Sequence, residues 1–168
     1  MQVKLLRGLA IGASAVLGLA LVTLSAGAQA QTSGLRFGLA GSLHSDNGTS
    51  TFAAGGFFKY HLAEISGHPI TGRVSFDYFF PDDGTWWDIS GDALIDIANK
   101  GSNIKPYAGA GLTYEHFSIS GFSNSETKLH AVGGINFMGN SKLMPFAEAK
   151  YVFADEGYFL WKFGFHLK

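Results

Sequence analysis

Cysteine is absent from the 168 residues. Its absence excludes a disulfide scaffold and any thiolate-held zinc or iron–sulfur site. A basic surplus is also missing, since 12 lysines and arginines stand against 13 aspartates and glutamates. A nucleic-acid partner, which needs a clustered basic surface, is therefore excluded. Beyond residue 24 no uncharged apolar run approaches the roughly 18 residues of a membrane-crossing helix. Aromatics and glycine are plentiful instead, with 15 phenylalanines, six tyrosines, three tryptophans and 23 glycines. That composition is too apolar for a disordered chain.

The first thirty residues read as an export signal. Lys4 and Arg7 form a positive n-region, Leu9 to Leu24 an uncharged stretch, and Ala28 and Ala30 an A-x-A cleavage site before Gln31. The run is short for a retained anchor, and small residues follow it rather than a stop-transfer cluster. The expected organisation is a signal peptide over 1–30 and one domain over 31–168. Removing thirty residues from 168 leaves 138, with ten bases against thirteen acids. Export without cysteine suits a bacterial envelope protein, which crosses an oxidising compartment without forming disulfides.

The remaining chain alternates apolar and polar residues with period two, the signature of strands. Leu35, Phe37, Leu39 and Leu43 alternate with Arg36 and His44; Phe52, Phe58, Tyr60 and Leu62 with Lys59 and His61. Val74, Phe76, Tyr78 and Phe80 alternate with Arg73, Ser75 and Asp77; Trp87, Ile89, Ala93 and Ile95 with Asp88, Asp92 and Asp96. The second half repeats this around Lys105 and Glu115, Lys128 and His130, Glu148 and Lys150, and Lys162 and His166. Expected breaks lie at Asp46-Asn47-Gly48, Ser66 to Pro69, Pro81 to Gly84, Asn99 to Asn103, Ser120 to Ser125, Gly139 to Ser141 and Asp155 to Gly157. The result is eight segments, an even number, which antiparallel pairing can close into a barrel without edges. A helix over Asp88, Asp92 and Asp96 would stack three like charges on one face. On a strand successive members of the trio stand about 13 Å apart, which also weakens any reading of them as one metal site.

Alternation alone leaves the inside undecided. A soluble eight-stranded barrel turns apolar residues inward, and a membrane barrel turns them outward. The aromatics decide the matter by volume. Phe159, Trp161, Phe163 and Phe165 on one strand, with Phe37, Phe52, Phe58, Phe76, Tyr78, Trp87, Tyr114 and Phe137, would overfill so narrow a lumen. The polar face holds Arg36, Lys59, Arg73, Lys105, Lys128, Lys150 and Lys162 against Asp77, Asp88, Asp92, Asp96, Glu115 and Glu148. Seven bases against six acids suit a paired internal network, because buried charges need partners. Segments of ten to twelve tilted residues span about 25 Å of hydrocarbon. The alternative, a lipocalin-like barrel, needs a cavity for which these aromatics leave no room.

Lys105-Pro106-Tyr107-Ala108-Gly109-Ala110-Gly111-Leu112 and Pro145-Phe146-Ala147-Glu148-Ala149-Lys150-Tyr151 place proline, an aromatic and small residues where a strand opens. The final strand alternates aromatics to the chain end, although it closes on Leu167-Lys168. In these features the chain resembles the small outer-membrane β-barrel family that includes the opacity proteins, OmpX-type proteins and the transmembrane domain of OmpA. The resemblance implies an all-β, eight-stranded up-and-down transmembrane barrel in the bacterial outer membrane. It also implies both termini in the periplasm, contact with lipid and lipopolysaccharide, and handling by the barrel assembly machinery. The turns near 46–50, 81–85, 119–125 and 154–157 then face outward, rich in acids and without lysine or arginine. A host or surface ligand there is compatible with such proteins.

One pair of residues could do chemistry. His116 and Ser118 share a strand face, and a histidine that close can activate a hydroxyl. The pair resembles the His-x-Ser of outer-membrane lipid A 3-O-deacylases, whose site faces lipid. Here Ile119 replaces the asparagine that follows that serine, and His130 stands near the place of the orienting glutamate, so the triad is incomplete. Glu126 falls on the opposite face. The expectation is a non-enzyme without cofactor or metal, in which His44, His61, His130 and His166 fill the polar face. Gly109-Ala110-Gly111 lacks the helix of a phosphate loop. A pore is the remaining alternative, and thirteen charges in so narrow a lumen argue for a plugged one.

Overall fold

The computed structural model describes residues 34–46, 49–97, 102–138 and 142–167. The expected signal peptide lies outside these residues, as do the turn residues at 47–48, 98–101 and 139–141. The eight strands are β1 (Arg36–Asp46), β2 (Thr49–Ile65), β3 (His68–Phe79), β4 (Thr85–Asp96), β5 (Ile104–Ile119), β6 (Phe122–Phe137), β7 (Leu143–Phe153) and β8 (Tyr158–Leu167). Each pairs antiparallel with the next, and β8 pairs with β1 from Gly38↔His166 to Ser45↔Phe159, which closes the barrel. We call the end that carries Arg36 and Leu167 the terminal end, and the opposite one the distal end.

Two expected loops are shorter than the sequence suggested. The break at Ser66 to Pro69 is the pair Ser66-Gly67, and Pro69 pairs with Glu64 inside the ladder. The loop at Ser120 to Ser125 is likewise only Ser120-Gly121, and β6 begins at Phe122 opposite Ile119. In both turns the two central residues have positive φ, at 52° and 83° and at 38° and 84°. That conformation matches the right-handed twist of a hairpin, and glycine adopts it without steric cost. Polar composition made residues 122–125 look like loop, yet strand pairing with β5 orders them. They lie beyond Leu129↔Phe153, where pairing with β7 begins, so the β5–β6 hairpin projects past its neighbour.

The outward phase is apolar. Phe58 is 53% exposed, Phe163 59% and Leu129 63%. Ring contacts run around the distal half of this surface, through Phe52, Phe80 and Tyr78, through Phe76, Trp87 and Tyr114, and through Tyr151, Phe159 and Trp161. Burying this much aromatic surface in hydrocarbon is favourable, whereas water would leave an apolar patch far beyond what a soluble monomer carries.

The inward phase is layered. Near the distal end Ala53, Phe79, Val152, Tyr158 and Leu160 form an apolar layer, with Trp86 stacked on Phe79 at 4.0 Å. Charged and hydroxyl residues fill the middle. Toward the terminal end come Leu94, Tyr107 and Val132, with Phe57 and Phe146 in edge contact at 5.4 Å. The inward phase is therefore not uniformly polar, contrary to the expectation.

Candidate functional site

The middle layer centres on Arg73 of β3. Its Nε donates to Asp92 Oδ2 at 2.6 Å, and its two terminal nitrogens donate to the two Glu148 oxygens at 2.5 and 3.1 Å. The planar guanidinium suits this double fork, which lysine could not make. Tyr107 donates a further hydrogen bond to Glu148 at 2.7 Å. The other Asp92 oxygen meets His130 Nε2, and His130 Nδ1 meets Thr113 Oγ1 at 2.9 Å. From Thr113 the chain continues to Ser90 at 2.8 Å, and Lys150 donates to Ser90 at 2.7 Å. Lys150 also lies 3.6 Å from Asp88. Beside this web Lys162 donates to Asp77 at 2.5 Å, and Ser42 caps the other Asp77 oxygen at 3.2 Å. These groups come from seven of the eight strands, and all are buried.

Nine of the thirteen charges expected in one internal network are in ion pairs: Arg73, Asp77, Asp88, Asp92, Glu115, Lys128, Glu148, Lys150 and Lys162. Glu115 and Lys128 form a separate pair at the distal mouth, 2.6 Å apart. The other four depart from the expectation. Arg36, Lys59, Asp96 and Lys105 make no ion pair among the described residues and line a cavity of about 560 Å³ at the terminal end. For Arg36, Asp96 and Lys105 the physical reason is position, since strand ends open to solvent, whereas Lys59 is buried and lies over the rings of Phe57, Tyr107 and Phe146.

At the distal mouth a smaller cavity, about 260 Å³, is lined by Trp86, Glu115, Phe117, Asn124, Glu126 and Lys128. Asn124 donates to Glu126 at 3.0 Å, and this bond together with the Lys128 ammonium holds the Glu126 carboxyl below the usual carboxylate range.

The alternative His116–Ser118 pair is not hydrogen-bonded. His116 Nδ1 bonds Ser125 Oγ on the neighbouring strand at 2.8 Å, and the imidazole stacks on Trp87 with centroids 5.1 Å apart. Ser118 stands two residues along β5, opposite Ser123. No carboxylate holds His116 among the described residues. The bonded unit is a histidine and a serine facing out beside an aromatic belt. Of the other histidines, His130 and His166 are buried in the lumen, His44 packs against Phe79, Trp86 and Tyr158, and His61 is exposed at the terminal end.

Sequence reasoning missed the hydroxyl links Ser42, Ser90 and Thr113, the Tyr107 donor, and the apolar plugs. Inward phase marked all of them, but hydrogen-bonding roles in the lumen were read only for the charged residues and histidines of that phase.

No known family model and no curated protein matches the chain in sequence. Solved structures match in shape. The N-terminal β-barrel domain of Pseudomonas aeruginosa OprF is 15% identical, over 79% of this chain and 95% of that one, with a TM-score of 0.64. Ail, the attachment invasion locus protein of Yersinia pestis, is 20% identical over 80% and 95%, with a TM-score of 0.56. The outer membrane enzyme PagL is 11% identical over 78% and 99%, with a TM-score of 0.51. Closed topology, outward aromatics and these likenesses lead to one statement: the chain has the fold of the small eight-stranded outer-membrane β-barrels.

Proposed function

We propose that this chain is exported, loses its first thirty residues, and spans the bacterial outer membrane as a plugged barrel. On this reading it has a structural or surface-interaction role and is not an enzyme or a pore. The observation that carries the reading is the filled lumen: two apolar layers enclose a web of paired charges among the described residues. Its partners are outer-membrane lipid and lipopolysaccharide, and the barrel assembly machinery during biogenesis. A surface ligand would meet the distal end, where Asp82, Asp83, Asp155 and Glu156 are exposed. The bond of His116 to Ser125 rather than Ser118, and the lack of a carboxylate beside His116 among the described residues, support the non-enzymatic reading against a lipid A hydrolase.

Two measurements test it. In planar bilayers the purified barrel is expected to give no steady large conductance steps; such steps would establish the pore. Lipid A from cells expressing the wild type is expected to have the same mass spectrum as lipid A from cells expressing His116→Ala or Ser118→Ala. A mass change that depends on these residues would establish the hydrolase.

A further inference from the structure

The terminal-end cavity holds more positive charge than its own walls neutralise. Among the described residues Arg36, Lys59 and Lys105 line it against a single carboxylate, Asp96, an excess of two positive charges with histidine neutral. Lys59 is the informative member. It is only 5% exposed, yet no carboxylate lies within ion-pair distance among the described residues. Its ammonium instead lies over three rings, 5.3 Å from Phe57, 5.0 Å from Tyr107 and 5.6 Å from Phe146. Aromatic faces hold a cation in place without neutralising it, so its charge remains available to the cavity. Elsewhere in this lumen every buried lysine has a carboxylate partner, Lys150 with Asp88 and Lys162 with Asp77. His166 donates through Nε2 to Asn136 Oδ1 at 3.0 Å and serves as a neutral reporter on the cavity wall rather than as an anion donor.

We infer that this cavity binds a small soluble phosphate-bearing anion, held by Lys59 with Arg36 and Lys105 at its rim. A phosphate group carries about −1.5 to −2 charge at pH 7 and offers three acceptor oxygens, which matches the excess of two positive charges. Guanidinium and ammonium donors supply the charge-assisted bonds that such oxygens accept. The barrel wall separates the cavity from acyl chains, which points to a solute rather than a lipid. The site goes beyond the structural role proposed above and does not depend on it.

The experiment uses isotope-labelled full barrel in maltoside micelles free of phosphate, with ionic strength held constant by chloride. Titrated inorganic phosphate is expected to shift the amide resonances of Arg36, Lys59 and His166 saturably, while Trp86 and Tyr158 at the distal end stay put. Lys59→Met should weaken binding about tenfold and Arg36→Gln about threefold, the scale of a lost charge-assisted bond. Lys59→Arg should keep it. Heat-modifiable gel migration reports that each variant is folded, so loss of binding is separable from loss of the barrel. Arg36 is exposed, so its variant tests the site even if Lys59→Met does not fold. Shifts that never saturate, or folded variants that bind as the wild type does, overturn the proposal. A second arm places the barrel in phosphatidylglycerol nanodiscs without added phosphate, and the resonances should remain at their free positions. Resonances already at the bound positions would make a lipid headgroup the ligand and overturn the assignment to a solute.

Discussion

At the scale of single residues, Arg73 is the member of the lumen whose loss should cost most. It satisfies Asp92 and Glu148 together, and both carboxylates are fully buried. Replacing a buried ion pair with well-packed apolar groups is often neutral, but removing one partner strands a charge. Arg73→Met is therefore expected to cost about 3–5 kcal/mol in reversible unfolding from lipid vesicles followed by tryptophan fluorescence. A change below about 1 kcal/mol would mean that water already screens the pair. Gly111 offers a steric test of the same web. A Cβ built there would collide with the Gly91 carbonyl oxygen of the neighbouring strand and lie 2.7 Å from Asp92 Oδ1 and 2.8 Å from His130 Nε2, so the glycine makes room for the strand pairing and for the Asp92–His130 contact together. Gly111→Ala should destabilise by about 1–3 kcal/mol, the range for overpacking a filled interior. The sequence exposed the charged members of this web because period two separates faces cleanly. It hid the caged state of Lys59, because Phe57 and Phe146 share the charged phase and no rule of alternation sends rings inward.

At the scale of strands, the outward face of β8 is the clearest case. Phe159, Trp161, Phe163 and Phe165 are all 43–59% exposed, while Leu160, Lys162 and His166 on the alternate phase are buried. Phe163 sits near mid-strand, opposite Gly41 and Ala147. Phe163→Arg should cost about 2–4 kcal/mol in bilayers, the depth-dependent penalty for a basic residue at the midplane. The same substitution at Phe122, on the projecting hairpin, should cost little. Equal costs at the two positions would contradict the placement of the belt. The eight strands were legible in the sequence because each carries at least four alternating positions. Strand ends were not, because Ser and Asn at 123–125 favour turns locally, whereas cross-strand pairing from His116↔Ser125 to Ile119↔Phe122 holds them extended.

At the scale of the whole molecule, closure and inversion act together. Pairing β8 to β1 removes the last sheet edge, so the backbone can sit in hydrocarbon without unpaired groups. Turning the rings outward leaves the narrow lumen to side chains that can pair with one another. The inversion was legible from volume, since the aromatic side chains exceed what eight strands enclose. The apolar layers at both ends of the lumen were not, because volume arguments count side chains without assigning them heights along the axis. The most direct test is spin-label accessibility along β8 in lipid bilayers, with one label at a time from 159 to 166. The account predicts that labels at 159, 161, 163 and 165 collide with oxygen dissolved in the acyl chains, and that labels at 160, 162 and 166 are shielded. Accessibility to a water-soluble relaxant at 161 and 163, or the opposite phase, would contradict it.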